Sequence, residues 1–385
     1  MEKQLIPKLR LPYYNDNWNK VVFDNITTKI SDGIHSTPNY DINGDYYFVN
    51  GNNLVDGVIT VYENTKKVSS EEFIRHKRPL SKSSILLSIN GTIGNLAFYN
   101  DEKIVLGKSA CYINLNKELP ISFYYYILQT PKIKKYFLSE LTGSTIMNLS
   151  LSTVKKTRLI VPSLPEQQKI ASFLSDVDEV ITKLTKKKTL LEQYKKGIMQ
   201  KIFNQELRFK DDNGNEFPKW QEKKLCKISN ITTGSSNRQD SGLDGEFTFF
   251  DRSEDIRTSS RYLFDGEAII VAGEGSDFIP KYYIGKFDLH QRTYAIMEFK
   301  EVISKYLFYY IHFHRRYFLS QAVGSTVKSL RLPMFQKMLI KLPVKEEQTK
   351  IANFLSDIDA KIEALNTKIE NSKAFKKGLL QQMFV

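Results

Sequence analysis

Apolar residues recur at alternating spacings of four and three in two long stretches of the chain. The first series is Ile170, Leu174, Val177, Ile181, Leu184, Leu191, Ile198 and Ile202, and the second is Ile351, Leu355, Ile358, Ile362, Leu365, Ile369, Leu379 and Met383. This spacing predicts two coiled-coil helices. Because an isolated helix would leave its apolar stripe in water, we expect the two stripes to pair within the chain, most simply in antiparallel orientation.

Each predicted helix has a start signal. Ser163 and Glu166 have the spacing of a capping box, and Pro165 falls in the first turn. Pro343, followed by the acidic pair Glu346–Glu347, marks the second start. The alternative, in which each helix is buried within its own module, fits the length and the narrow apolar seam less well.

The two helical stretches are copies of one another. A shift of 181 positions aligns Gly143–Phe203 with Gly324–Phe384 without a gap and gives 25 identities in 61 positions. Upstream, Trp18–Ile26 faintly matches Trp220–Ile228 at a shift of 202. The chain is therefore a tandem repeat with pseudo-two-fold symmetry, in which a variable module precedes each similar helix. We place the two modules at residues 1–162 and 205–343, and the two helices at residues 163–204 and 344–385.

Each module has the pattern of a mixed β/α domain. Aromatic and β-branched runs predict strands at Tyr46–Val49, Ile85–Ile89, Leu96–Tyr99, Phe247–Phe250 and Ala268–Val271. Short helices rich in Tyr and Phe are predicted at Ser122–Gln129 and Ile303–His312, where the rings fit a domain core better than a base-stacking platform. The predicted fold class is α+β, with two mixed domains separated by two long coiled-coil helices.

The chain is basic, and most of the excess charge lies in the modules. It has 56 Lys and Arg residues against 43 Asp and Glu, which gives a net charge of +13. Nine of these charges belong to residues 1–164 and 204–344, whereas the helices carry mixed signs. Such an excess suits a polyanionic partner such as DNA.

Cysteine content and hydropathy bear on the location of the protein. Cys111 and Cys226 are the only cysteines, which excludes a disulfide framework and a cysteine-based zinc site. The sequence begins without the apolar stretch of a secretion signal, and no run approaches about 18 apolar residues. We therefore expect a cytoplasmic protein that does not enter a membrane.

Polar loops between the predicted strands supply candidate DNA contacts. The turns Asn90–Asn95 and Gly273–Ser276 are either plain hairpin turns or tips that read base edges, and the sequence favours neither. Lys29–Pro38 and Gly234–Gln239 follow the two tryptophans, and the duplicated Gly-Ser-Thr segments suit phosphate contact. The candidate DNA-binding residues are Lys29, His35, Ser36, Thr37, Asn90, Thr92, Lys108, Ser144, Thr145, Asn148, Ser235, Ser236, Asn237, Arg238, Ser276, Gln291, Arg292, Ser325, Thr326, Lys328 and Arg331.

The sequence contains no catalytic constellation. It has no [DNS]-P-P-[YF] motif for amino methylation, no H-E-x-x-H, no cysteine–histidine cluster and no nucleotide-binding glycine loop. Asp288 with Glu298 and Lys300 is a weak match to a nuclease pattern that is common by chance. We therefore predict no catalytic residue and no metal site in this chain.

A duplicated motif, E-Q-x-K-I-A-x-F-L-S, closely resembles type I restriction–modification specificity subunits. Its copies lie at Glu166–Ser175 and Glu347–Ser356. The segments Pro7–Trp18, Ile30–Pro38 and Asn90–Gly94 resemble the target-recognition domains of that family. The resemblance covers essentially the whole chain.

The resemblance implies a DNA-recognition role within an assembly. Each variable domain would read one half of an asymmetric, interrupted site in double-stranded DNA. The paired helices would set the spacing and dock two modification subunits, which carry S-adenosylmethionine chemistry on adenine N6. Restriction subunits would supply ATP-driven translocation and cleavage with Mg²⁺, so no cofactor is implied in this chain.

Two other classes of protein stay open at this point. A non-catalytic coiled-coil scaffold would share the helices but has no need of two divergent basic modules. A salt titration separates such a scaffold from a DNA-binding protein, within or outside restriction–modification, because DNA binding weakens steeply with salt. A stand-alone nuclease or methyltransferase would need catalytic residues that the sequence lacks.

Overall fold

A computed structural model describes residues 5–143, 147–253 and 256–385. By its internal contacts the chain forms two compact units. The first comprises Met1–Leu184 together with Lys368–Val385, and the second comprises Thr185–Thr367. The division of the sequence into four consecutive segments stays a prediction.

The first unit begins with short strands and helices. Its strands are β1 (Asn19–Val22), β2 (Thr27–Asp32), β3 (Tyr46–Val49), β4 (Leu54–Val55), β5 (Val58–Ile59), β6 (Lys67–Val68), β7 (Ser84–Ser88), β8 (Leu96–Phe98), β9 (Ile104–Leu106), β10 (Ala110–Leu115) and β11 (Arg158–Val161). Its helices are α1 (Ser70–His76), α2 (Ile121–Leu128), α3 (Pro131–Ser139) and α4 (Leu151–Lys156), and the chain then enters the long helix α5 (Leu164–Phe203). Short 3₁₀ turns lie at Phe23–Ile26 and Gly51–Asn53.

Two sheets frame the core of the first unit. Strands β2, β10, β7 and β8 form an antiparallel sheet, and β9 pairs in parallel with β3. Successive side chains of a strand point to opposite faces. Ile85 accordingly packs in the cluster that contains α2, whereas Leu86 packs with Val49 and Leu106 on the other side. Strand β7 is therefore buried on both faces, as its continuous apolar run requires.

The second unit repeats the same kinds of element. Its strands are β12 (Gln221–Lys224), β13 (Asn230–Thr233), β14 (Phe247–Phe250), β15 (Arg257–Ser259), β16 (Phe264–Ala272), β17 (Glu274–Gly275), β18 (Lys281–Leu289), β19 (Thr293–Met297), β20 (Lys328–Ser329) and β21 (Leu339–Leu342). Its helices are α6 (Leu225–Ile228), α7 (Ser304–Phe313), α8 (Arg316–Gln321) and α9 (Leu332–Gln336), followed by the long helix α10 (Lys345–Gln382). A 3₁₀ turn lies at Arg238–Asp240.

The sheets of the second unit differ from those of the first mainly in one long strand. The order of the large sheet is β13, β19, β16, β18, β14 and β15. Strand β18 pairs antiparallel with β16 and, at its end, in parallel with β14. It thus takes the places that β8 and β9 fill separately in the first unit. The repeat detected in the helices therefore extends to the modules, where few residues are identical.

The two long helices pack against each other in antiparallel orientation within each unit. In the first unit, the start of α5 and the end of α10 share a buried cluster that contains Ile170, Ala171, Leu174, Leu379, Leu380 and Met383. In the second, the end of α5 and the start of α10 share one that contains Met199, Ile202, Phe203, Ile351, Ala352, Leu355 and Ile358. The predicted antiparallel coiled coil is confirmed. All the predicted pairing positions are buried or half-buried, and the half-buried ones are Val177, Ile181, Leu184, Leu191, Ile198 and Ile362.

The aromatic helices belong to the core. In α2, Phe123 and the three tyrosines that follow it are buried, and in α7 Tyr306, Tyr309 and Tyr310 are buried. The core interpretation of these rings is confirmed, and base stacking by them is excluded by their burial. Within the described residues, no helix is long and apolar enough to cross a membrane.

Candidate DNA interface

Four loops of the first unit meet at the ends of its central strands. They are residues 33–37, 89–94, 107–109 and 147–149. The amide of Ile89 donates to Ser109 over 2.9 Å, and its carbonyl accepts from Leu149 over 2.8 Å. The amide of Ile34 donates to Leu106 over 2.8 Å, which ties the first loop to the third. Most of the candidate DNA-binding residues of the first module are thus brought to one end of the sheet.

The second unit gathers four loops in the same way. They are residues 234–238, 273–276, 290–292 and 328–331. The amide of Gly273 donates to Arg292 over 2.8 Å, and its carbonyl accepts from Leu330 over 2.7 Å. Gly273, Arg292 and Leu330 therefore occupy the places of Ile89, Ser109 and Leu149. Both units present a common backbone frame with different side chains on it.

A close approach of backbone to backbone explains one glycine in each frame. A Cβ on Gly33 would lie 2.0 Å from the carbonyl oxygen of Leu106, and one on Gly234 would lie 1.6 Å from that of Leu289. A larger residue would push the loop away from the strand end. These glycines hold the first loop of each frame in place.

The loop ends of the first unit are mostly neutral. His35, Ser36, Thr37, Thr92 and Lys108 are exposed, while Asn90 and Asn148 are half-buried. Asn90 and Asn148 face each other in a backbone bridge, and the Asn90 amide also donates to the Lys108 carbonyl over 3.3 Å. Beneath them, the Ser109 hydroxyl donates to the side chain of Asn50 over 2.8 Å. This end of the sheet offers amide and hydroxyl groups.

The loop ends of the second unit are charged. Arg292 is paired with Glu274, and Arg252 lies 3.4 Å from the other carboxylate oxygen of Glu274. Arg238 lies 4.0 Å from Asp251. Sequence reasoning missed Arg252, Asp251 and Glu274 because their partners are distant in sequence and no motif marks them.

Ser236 is corrected by the structure. Ser236 is fully buried, and its hydroxyl donates to Asp288 over 2.6 Å, so it supports the loop and does not face DNA. Ser259 donates to the same carboxylate over 2.8 Å. Lys29 lies inside β2, opposite Asn114, because that strand continues to Asp32. It lies away from the converging loops but is exposed, so its contact with DNA stays a prediction.

The remaining predicted residues of the second unit lie at the loop surface. Ser235, Asn237, Ser276 and Gln291 are exposed or half-exposed, and the Gln291 amide donates to Asn237 over 2.6 Å. Ser325, Thr326, Lys328 and Arg331 are exposed as well. Ser144 and Thr145 lie outside the described residues. DNA contact by any of these residues stays a prediction.

The duplicated motif begins with a buried carboxylate that has a distant arginine partner. Glu166 is 1% exposed and accepts two hydrogen bonds of 2.8 Å from Arg10, a partner that the capping-box interpretation did not include. Glu347 is fully buried and accepts from Arg208 over 3.1 and 2.6 Å and from the Trp220 indole over 3.0 Å. These carboxylates fasten the beginning of each module to the start of the helix that follows that module.

One lysine on each long helix also has an acidic partner. Lys376 lies 2.7 Å from Asp178, and Tyr126 donates to the same carboxylate over 2.9 Å. The second unit repeats this trio in Tyr309, Asp359 and Lys195, with distances of 2.6 and 2.5 Å. Burial, and then the adjoining Asp359, raise the pKa of Tyr309 above its ordinary value, so its hydroxyl stays a donor. Each trio joins the two long helices to an aromatic helix.

In the part of the chain that the structure describes, no set of three or more His, Cys, Asp and Glu side chains is able to hold a metal ion. Asp288, the first residue of the weak nuclease pattern, is fully buried beneath Ser236 and Ser259.

Comparison with known proteins gives consistent results. The family model described as "Type I restriction modification DNA specificity domain" matches residues 15–193 and again residues 218–372. The EcoDI specificity subunit of Escherichia coli is 28% identical over 39% of this chain and 34% of its own. The MjaVIII specificity subunit of Methanocaldococcus jannaschii is 23% identical over 88% of this chain and 85% of its own. The chain thus spans about a third of the first relative and most of the second.

Two solved structures share the fold. A type I restriction–modification S subunit from M. genitalium has a TM-score of 0.64 at 18% identity and covers 99% of both chains. A chain from a study of assembly and conformational transition in a type I system has a TM-score of 0.54 at 15% identity, covering 98% of this chain and 99% of that one. At these identities the likeness concerns the fold alone.

Proposed function

The chain belongs to the type I restriction–modification DNA specificity family, and on that premise we propose that it selects the DNA site for a modification and restriction assembly. Each domain reads one half of an asymmetric, interrupted site in double-stranded DNA. The chain itself catalyses no reaction.

One observation carries this proposal. The two units place four loops on the same backbone frame, and the side chains on the two frames differ in charge and size. A shared frame supports docking to the same kind of ligand, and different side chains support recognition of different bases. The positive excess of the modules supplies phosphate attraction that does not depend on sequence.

The long helices connect this recognition to other subunits. We propose that the antiparallel pair fixes the distance between the half-sites and docks two modification subunits, with restriction subunits in the complete assembly. S-adenosylmethionine, ATP and Mg²⁺ then belong to those partners. Such an assembly acts on DNA in the cytoplasm.

Exchange of one module tests the two-reader proposal. Residues 1–162 are replaced by the corresponding module of a related chain with a known methylated motif, and a second variant exchanges residues 205–343 instead. Methylation-sensitive sequencing of host DNA then gives the motif of each variant. We expect each exchange to change one half-site and leave the other unchanged. A change in both halves after a single exchange would contradict the proposal.

A second experiment tests the absence of catalysis. The purified chain is incubated with DNA and labelled S-adenosylmethionine, alone and with its modification subunits. We expect methyl transfer only when those subunits are present. Transfer or cleavage by the chain alone, abolished by Glu298→Ala, would overturn this part of the proposal.

A further inference from the structure

The second domain holds a group of paired charges at its loop ends, which we call the arginine cluster. It consists of Arg238, Arg252 and Arg292 with the carboxylates of Asp251 and Glu274. The cluster lines an open depression of about 260 Å³ where the loops meet. Its members come from four separate segments, so the fold assembles them.

Burial separates the two signs of charge in the cluster. The side chains of Glu274 and Asp251 are 13% and 4% exposed. Those of the three arginines are 57–63% exposed. The carboxylates therefore lie beneath, and the guanidinium groups face solvent above them. Because Glu274 contacts Arg252 and Arg292 through different oxygens, one carboxylate orients two arginines before any ligand arrives.

This arrangement suits a base better than a phosphate. Contact with a phosphate depends mainly on positive charge, and a carboxylate directly below would weaken the attraction of the arginines for the phosphate. Contact with a base edge needs a side chain held in one direction. A guanidinium has five N–H donors, so an arginine held by a carboxylate retains donors for a second acceptor. Guanine presents two acceptors, N7 and O6, in the major groove, and arginine is their commonest partner.

The first domain has none of these charges at the matching positions. The shared backbone pairings place neutral residues where the second domain has Asp251, Arg252, Glu274 and Arg292, namely Asn50, Gly51, Asn90 and Ser109. The two domains therefore differ in charge at structurally equivalent positions of their loops. A difference at that place points to different bases in the two half-sites.

We propose that Arg292 reads a guanine in the half-site of the second domain, with Arg252 beside it. Glu274 is the positioning residue that fixes both guanidinium groups. This inference rests on the proposed function, because it assumes that the loop ends meet DNA, and it adds the chemical identity of one base.

The test uses the full chain with its modification subunits. Methylation-sensitive sequencing first gives the motif. Binding is then measured to duplexes in which each guanine of the second half-site is replaced in turn by 7-deazaguanine, which lacks the N7 acceptor. Arg292→Gln and Glu274→Gln are compared with Arg316→Gln, an exposed arginine on α8 outside the cluster.

We expect one 7-deazaguanine, which removes one of the two acceptors, to weaken binding of the unsubstituted protein by about 2- to 13-fold. Arg292→Gln should bind both duplexes equally, and Arg316→Gln should behave as the unsubstituted protein. Glu274→Gln should reduce the discrimination at this base without changing the melting temperature or discrimination in the first half-site, which separates positioning from a structural role.

Three results would overturn the inference. The second half-site could contain no guanine, or Arg292→Gln could stay sensitive to 7-deazaguanine. Arg292→Gln could also weaken binding to every sequence equally and reduce the salt dependence, which is the behaviour of a phosphate contact. In all three cases a bipartite motif still depends on the chain, so the proposed function stands. If no methylated motif depends on the chain, the proposed function fails together with the inference.

Discussion

The buried carboxylate at the start of α10 makes a quantitative prediction about stability. Glu347 is fully buried and held by both nitrogens of the Arg208 fork and by the Trp220 indole. Arg208→Ala removes two of these three donors and leaves the Trp220 indole. Breaking a buried ion pair by removing one partner costs about 3–5 kcal/mol.

The buried carboxylate of Glu347 would then have lost its ion-pair partner while staying out of contact with water. We therefore expect Arg208→Ala to lower the free energy of unfolding by about 3–5 kcal/mol at pH 7.

The assay combines urea unfolding of the full chain with hydrogen exchange of peptides from the start of α10, since the two units need not unfold together. Arg208→Ala/Glu347→Gln removes the charge but keeps the shape, and should recover much of the loss at pH 7. Arg10→Ala gives the matched test in the first unit, where the Trp18 indole nitrogen has no hydrogen-bond partner among the described residues. A penalty below about 1 kcal/mol would refute the reasoning.

Two further predictions follow from the helices. Lys195→Asp places a second carboxylate against Asp359 and should lower the melting temperature, and Asp359→Lys in the same chain should restore part of the loss; no recovery would mean that the pair does not act as a unit. Burial lowers the pKa of His314 to about 4 and also lowers the pKa of His312. The contribution of these neutral histidines to the free energy of unfolding should therefore be fully present above about pH 6.5 and be lost as the pH drops toward 4. Urea unfolding at pH 7 and pH 5 should show a smaller difference in His314→Phe, and an unchanged difference would assign the effect elsewhere.

The sequence predicts the features of this fold that repeat with a period. The helical seam from Ile170 to Ile202 can be detected in the sequence because its apolar residues follow a regular heptad repeat. Strand β14 can be detected because its residues have a strand pattern and turn signals lie on either side of it. Side-chain pairs such as Arg10 with Glu166 join residues far apart in the chain, and no local pattern encodes them. The resemblance to a family supplied the role of the loops, whereas the fold determined which side chains meet there.

Ser236 illustrates why single site residues are the hardest to predict. A serine in a polar loop has the composition of a DNA contact, and its burial depends on Asp288, a residue from the strand opposite. Glu274 illustrates the reverse case, since an acidic residue is a poor candidate for DNA contact until two arginines are found above it. Both outcomes are set by tertiary packing, which composition does not contain.

The last prediction concerns the long helices as a spacer. Four residues inserted after Leu184 lengthen α5 by about 6 Å and advance it about 40° beyond one full turn, which nearly preserves the seam. Each unit holds the start of one long helix and the end of the other, so α10 has to be lengthened as well. The matched insertion follows Leu365, which corresponds to Leu184 under the shift of 181.

With both insertions, the gap between the half-sites should grow by one or two base pairs, at about 3.4 Å each, while both half-sites keep their sequences. An insertion in α5 alone should destabilise the protein, because the unchanged α10 cannot follow it. Two residues inserted in each helix rotate the seam by about 200° and should also destabilise it. The measurement that tests this prediction is the number of base pairs between the two half-sites of the methylated motif. If a folded and active double-insertion variant keeps the original spacer, the paired helices do not set the distance between the half-sites.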